Sequence, residues 1–437
     1  MASQKPVKEM MLMSNAAVAQ PLTTTEATLK NGAILLHTLQ KTAPRIAISF
    51  FVRGGNLMEP KAGLSDLIDQ LLLKGTEKRS QEQISIELDG LTLELDTEAR
   101  RDYAVLHAKL LEEDLETSFE LISDIFYNTT YADMEREKQK LVGEIAMSLD
   151  SPKSRASDQF YRKVFENTPY GRVDSVVLES LEHMDSVSEL KQYAQAVFSP
   201  QNLVVSCVGN IEQSQVTALV EKYFSKQGSA PLTPDAELEK RLKELAFKAD
   251  EKITFPRDDS SQAHIFRGWL VPHSRHEDFA AFSMLNTILG AAGLSSRLFL
   301  ELRDKQGLAY NVRSNYESFR YRGLFSLYIG TEPKNIEKCL KGFQDEIDKL
   351  INIPVSEKEL ADAKRNLLGR RSIMLETAGR QAAFIGTSYL QGRSLTEIAA
   401  IPSQIQAVTI ADVQRIAKTY LTDPSVVSIV AASKYLK

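Results

Sequence analysis

The stretch AGLSDLIDQLLLKGT, residues 62–76, has the apolar spacing of an amphipathic helix: Leu64, Leu67, Ile68, Leu71 and Leu72 share one stripe, and Asp66, Asp69 and Gln70 lie off it. Oxygen-bearing side chains grouped this closely on a helix could hold a metal ion. Such donors suit Mg²⁺ or Ca²⁺, whereas a glutamine is a poor ligand for catalytic Zn²⁺. The six histidines supply no alternative, because none are spaced i and i+4, and the close pair His273 and His276 in PHSRHED reads as a polar loop before a helix. Cys207 in VVSCVGN and Cys339 in IEKCLKG each sit inside an apolar pattern and read as buried free thiols, which leaves the compartment unfixed.

The elements that position this helix repeat along the chain. AILLHTLQ and RIAISFFVRGG precede it as strands, LTLELDTEARRDYAVLHAKLL follows as two more, residues 112–147 are helical in pattern, and NLVVSCVGN closes the unit as a strand. After residue 260 the order recurs: QAHIFRGWLV as a strand, EDFAAFSMLNTILG as a helix with Phe279, Phe282, Leu285 and Leu289 on one stripe, and YRGLFSLYIGT as a strand alternating Phe325, Leu327 and Ile329. Two long helical patterns and the strand SVVSIVAAS end the chain. Residues 186–209 and 407–432 match as helix, turn and apolar strand, which suggests a duplicated α+β unit. The resulting division is an N-terminal arm at 1–28, expected to be disordered, a first domain at 29–226, a linker at 227–258 and a second domain at 259–437.

Composition bounds the function. With 43% hydrophobic and 25% charged residues over 437 positions the chain reads as a globular protein, and a net charge of -5 gives no reason to expect nucleic acid or an anionic membrane as partner. No run is apolar over the length a membrane helix needs, so a soluble protein of the cytoplasm or periplasm is expected.

FFVRGGNLMEPKAGLSDLIDQLLLKGT resembles the signature segment of the pitrilysin/insulinase superfamily of zinc metallopeptidases, which includes processing-peptidase-like bacterial proteins. The shared positions are Gly54, Glu59, Gly63, Leu67, Leu71 and Lys74-Gly75-Thr76, with further likeness in DSPKSRASDQFYRKVFENTPYGR and SSRLFLELRDKQGLAYNVRS. The resemblance implies two tandem homologous α+β domains, each a mostly antiparallel sheet packed with helices, together forming half of a clam-shell chamber.

Family enzymes carry H-x-x-E-H on this helix, two imidazoles binding zinc and the glutamate serving as general base, with a further glutamate downstream. By alignment on Gly63 and Gly75, Asp66, Asp69 and Gln70 stand at those three positions, and Glu144 falls at the interval of the downstream ligand, with Glu137 before it. This is a degenerate zinc motif, so no metal or cofactor is expected in this chain. The resemblance also places Arg303 and Tyr310 where family members direct an arginine and a tyrosine at the active site. There a phenol hydroxyl can stabilise the tetrahedral intermediate while a guanidinium orients the substrate backbone. LGAAGLSSRL lies where the resemblance places the glycine-rich loop of the presequence-binding subunit of the superfamily's mitochondrial processing peptidase; only Gly290 and Gly293 are present, and an ordinary interhelical turn is expected.

The implied function is the catalytically incomplete subunit of a two-chain zinc metallopeptidase. Its partner would be a zinc-bearing homologous subunit that hydrolyses peptides, and in isolation a homodimer is allowed. The alternative is a non-catalytic scaffold or interaction protein derived from a metallopeptidase.

Overall fold

The computed structural model describes residues 23–436 apart from 44, 92, 226–235 and 423. Most of the expected N-terminal arm and part of the expected linker lie outside the described residues.

Two sheets organise the chain. The first contains β1 (Thr24–Thr28), β2 (Ile34–Leu39), β3 (Ile46–Arg53), β4 (Glu94–Ala99), β5 (Tyr103–Leu110) and β6 (Leu203–Gly209), in the order β1-β2-β6-β3-β5-β4. The second contains β7 (Glu251–Pro256), β8 (Ala263–Val271), β9 (Ala309–Ser318), β10 (Gly323–Thr331) and β11 (Val426–Ala431), in the order β7-β11-β8-β10-β9. Without β1 the two orders superimpose strand for strand. The pairing sense agrees too: β2 with β6 and β7 with β11 are parallel, and every other pair is antiparallel.

The matched segments occupy equivalent places. The Val187–Val197 helix feeds β6 and the Ile410–Tyr420 helix feeds β11, and each strand sits second in its shared five-strand order. Residues 24–28, assigned to the arm from sequence, pair in register with β2. The stretch read as a linker contains an Ala236–Glu244 helix with Leu242 fully buried, and then β7. Its Pro and Gly mark only where that stretch begins; the alternating Ile253 and Phe255 make its end an edge strand.

Both central sheets are covered on two faces. In β10, Phe325, Leu327 and Ile329 point into the core of the second half, while Leu324 and Tyr328 point to the opposite face, and all nine residues are buried. The alternation read from sequence therefore marks two packed faces rather than one dry and one wet.

The second covering layer is exchanged between the halves. The Pro152–Val164 helix, from the first half, packs on β8 and β11, and the Ala378–Leu390 helix, from the second half, packs on β3 and β6. Ser151 caps the first of these, accepting from the Ser154 amide, and Pro152 stands where a helix tolerates it. Two glycines allow the close approach. A Cβ on Gly268 would stand 2.5 Å from Phe160 Cζ, and one on Gly386 would stand 2.1 Å from Phe51 Cε2. In one joint the ring is on the helix and the glycine on the strand; in the other the roles are reversed.

Candidate functional site

The Leu64–Leu71 helix forms as its apolar spacing requires, with Leu64, Leu67, Ile68 and Leu71 buried. Its start is set by Gly63 at φ 89°, where a Cβ would meet Val177 Cγ1 at 2.8 Å. The free amides of the first turn are taken by Glu59, whose carboxylate accepts from Gly63 N at 3.1 Å and Ser65 N at 2.9 Å. Burial, then the neighbouring charge of Asp66, pushes the Glu59 carboxyl up to about 7. Arg172 approaches it at 3.7 Å and donates to the Asn56 carbonyl at 3.0 Å and the Glu59 carbonyl at 2.5 Å.

The three motif positions make local contacts. Asp66 accepts from Asn56 Nδ2 at 3.4 Å, the same group that reaches Glu59, and burial followed by Asp69 pushes its carboxyl up to about 6. Asp69 is also raised by burial, opposed by a hydrogen bond from the Thr97 side chain on β4. Gln70 is half-buried beside them.

The downstream glutamates on the Met134–Asp150 helix do not join this group. Glu144 is exposed and pairs with Lys140 one turn earlier, at 3.6 Å. Glu137 is buried against Lys74 at 3.4 Å and Arg136 at 3.1 Å; burial opposes its charge, but these cations outweigh burial and lower its pKa. Among the described residues no group of three or more His, Cys, Asp or Glu is arranged to hold a metal ion. The donor set does not fit catalytic zinc, because it lacks imidazole and its carboxylates are engaged by Asn56, Thr97 and Lys140.

His273 and His276, with rings 6.1 Å apart, use their Nδ1 atoms to accept from the amides of Arg275 and Asp278. They shape the loop ahead of the Phe279–Asn286 helix. Cys207 and Cys339 are free and buried.

Arg303 and Tyr310 are brought together. Leu298 and Leu302, both fully buried, anchor a wide helical turn over Phe299–Lys305 that carries Arg303, and Arg297 is held to Glu359 by two contacts of 2.7 and 2.9 Å. The Arg303 guanidinium lies between two rings, 4.7 Å from Phe299 and 5.1 Å from Tyr310. Tyr310, second residue of the edge strand β9, is 83% exposed. Gly293, Leu294, Asn311 and Val312 complete an open hollow around them.

LGAAGLSSRL is not the ordinary turn expected. Wide π-type turns at Thr287–Ala291 and Phe299–Lys305 flank a short 3₁₀ turn at Gly293–Ser295, with Gly293 at φ 73° and Leu294 72% exposed. Such π-type turns are rare within helices and lie frequently at functional sites.

Sequence reasoning missed the roles of four residues: Glu59, Asn56, Arg172 and Asp102. Glu59 was visible only as a shared position, while its neighbours Asn56 and Arg172 carried no spacing signal. Asp102, in the β4–β5 turn, accepts from the Tyr170 hydroxyl at 2.6 Å and from the Arg320 amide of the β9–β10 turn at 3.0 Å, joining the halves; burial raises its pKa despite these donors.

Two family models match the chain: that described as Insulinase (Peptidase family M16) over residues 36–173, and that described as Peptidase M16 inactive domain over residues 186–367. An uncharacterized zinc protease of Streptomyces coelicolor is 28% identical over 376 residues, covering 85% of this chain and 81% of its own. One of Bacillus subtilis is 26% identical over 414 residues, covering 93% and 98%. Among solved structures, a peptidase M16 inactive domain from Pseudomonas fluorescens shares the fold with a TM-score of 0.86 at 23% identity, covering 94% of this chain and 99% of that one. A chain of Complex III2 from Candida albicans shares it with a TM-score of 0.77 at 18% identity, covering 94% and 97%.

Proposed function

We propose, from the premise that this chain belongs to peptidase family M16, the insulinase family, that it is a non-hydrolysing member whose work is to hold peptide or protein segments. The observation that supports this reading is the fate of the motif helix: Asp66 is held by Asn56, Asp69 by Thr97, and Glu144 pairs with Lys140 instead of converging on them. No water-activating centre is built from these groups. The same fold within Complex III2 is in keeping with a scaffold role.

A second reading, the zinc-free subunit of a two-chain metallopeptidase, is favoured by the other half. Tyr310 stands in solvent with Arg303 against its ring, and no ion pair to a carboxylate engages that guanidinium among the described residues. On this reading Arg303 orients a substrate backbone and Tyr310 donates to the oxyanion formed in a sister chain's site.

One preparation separates the two. The purified chain is assayed for bound zinc and peptidase activity, alone and mixed with a homologous chain carrying intact H-x-x-E-H. Stoichiometric zinc with activity in the isolated chain overturns both readings. Activity that arises only on mixing, and that falls with Tyr310→Phe while association persists, selects the two-chain enzyme; association with no dependence on Tyr310 selects the scaffold.

A further inference from the structure

Charge is divided unevenly along the chain. Residues 29–226 hold 22 lysines and arginines against 31 aspartates and glutamates, whereas residues 259–437 hold 23 against 18. A net-cationic second half is joined to an acidic first half.

Part of that excess is concentrated beside the Arg303 hollow. Gly293, which lines the hollow, has Arg370 Nη2 3.8 Å from where its Cβ would stand. Arg371, the next residue on the Glu357–Met374 helix, lies 4.4 Å over the Phe384 ring, and burial and then Arg393 pull its pKa down to about 10. Arg393 is itself buried, 3.9 Å over the Phe279 ring, and donates to the Ser274 carbonyl.

Arg303 in the hollow, Arg370 beside it and Arg371 next along the same helix make no ion pair to a carboxylate among the described residues, and two of the three are stacked on rings. Ring stacking occupies a guanidinium's face and leaves its N–H edge free, the edge that pairs with a carboxylate through two bonds. Crowded like charges are also relieved by an incoming anion. Between and beside them stand exposed apolar side chains: Leu294, Ile373 at 65% and Met374 at 40%.

We propose that this strip, from Tyr310 and Arg303 through Leu294 to Arg370, Arg371 and Ile373, binds an extended peptide segment that presents carboxylate and apolar side chains in alternation along one face, at every second residue. The inference deepens the peptide-holding reading and rests on it, because it places the segment at the Arg303–Tyr310 hollow. A nucleic acid fits less well: the cations are few, apolar groups separate them, and the adjoining half repels a polyanion.

The test uses the full chain and a fluorescently labelled synthetic peptide of repeating Glu-Ser-Leu-Ser, which when extended sets Glu and Leu alternately on one face. Binding is followed by anisotropy, with the same peptide carrying Gln for Glu as control. The Glu peptide is expected to bind about tenfold more tightly than the Gln peptide, a preference set by charge-assisted hydrogen bonds and weakened by salt. Arg370→Glu, at an exposed position, is expected to weaken binding about tenfold or more, and Arg371→Gln gives a second reading at the buried end. Equal binding of the two peptides, or no effect of Arg370→Glu, overturns the inference. Tighter capture of a single-stranded RNA oligomer through the same arginines also overturns it, in favour of a nucleic-acid site. These measurements need no partner chain, so failure here leaves the Tyr310→Phe turnover test untouched. Conversely, an inert Tyr310→Phe with Glu-peptide binding through Arg370 retains the strip and removes the catalytic share.

Discussion

In the first half, the helix that follows β3 turns Asp66 and Asp69 toward Asn56 and Thr97, which engage them, and burial pushes the carboxyls of Asp66 and of the preceding Glu59 up to about 6 and about 7. In the second half, the segment between β8 and β9 carries Arg303, without an ion-pair partner among the described residues, against the exposed Tyr310 at the start of β9. The five-strand frame is the same in both. The contrast shows that a duplicated frame does not dictate what its inter-strand segments do: one has been absorbed into the packing, and the other left available for contact.

The largest effect should come from what the halves share. Phe160→Ala removes a fully buried ring stacked on Phe266 and seated against Gly268, and is expected to cost about 3–5 kcal/mol in urea unfolding. Phe51→Ala, at the reciprocal joint with Gly386, should cost a similar amount. If the halves were independent units, either loss would melt one sheet and leave a second transition unchanged; a single cooperative shift is expected instead.

This joint was not legible in the sequence, and the reason is physical. Periodicity places a ring or a glycine on an element's face, but which sheet that face meets is a non-local choice. Phe160 and Gly268 are 108 positions apart in the numbering and share no pattern. What could be read were features local in the sequence: the recurrence of elements along the chain with the match of residues 186–209 to 407–432, the apolar stripe of Leu64, Leu67, Ile68 and Leu71, and the spacing of Arg303 and Tyr310. Glu59 was readable as a position and not as a role, because its partners at Gly63 and Ser65 are backbone amides that any sequence supplies.

The buried acids give the next effect through pH. Glu59 and Asp66 have raised pKa values, so between the ordinary carboxylate range and about 7 the folded chain binds more protons than the unfolded one. Their contribution is therefore fully present at low pH and is lost as pH rises through about 6 and 7. Unfolding followed between pH 5 and 7.5 should show stability falling with rising pH, by up to about 3 kcal/mol if the Glu59 shift is fully expressed. A flat profile would put these carboxylates in solvent and erase the contrast with the second half.

Asp66→Asn should isolate a smaller share. It removes the charge that burial and Asp69 oppose while keeping a group that can face Asn56, and is expected to stabilise the fold by about 1–2 kcal/mol at pH 7.5 and by little at pH 5. A destabilisation at both pH values would mean that the ionised form is needed, as a bound cation would require.

The smallest change in stability is expected at Tyr310. Its side chain is 83% exposed and its ring covers only part of Arg303, so Tyr310→Phe should alter unfolding by no more than about 0.5 kcal/mol. That near-neutrality gives the substitution its value. At Asp66 any loss of function would be entangled with a change in the packing of the motif helix, whereas at Tyr310 the hydroxyl can be removed with the fold, the ring and the Arg303 stack in place. A change in turnover on mixing with a zinc-bearing homologue would then belong to the hydroxyl alone. Large destabilisation by Tyr310→Phe would instead mean that the second half, like the first, has these polar groups taken up in packing.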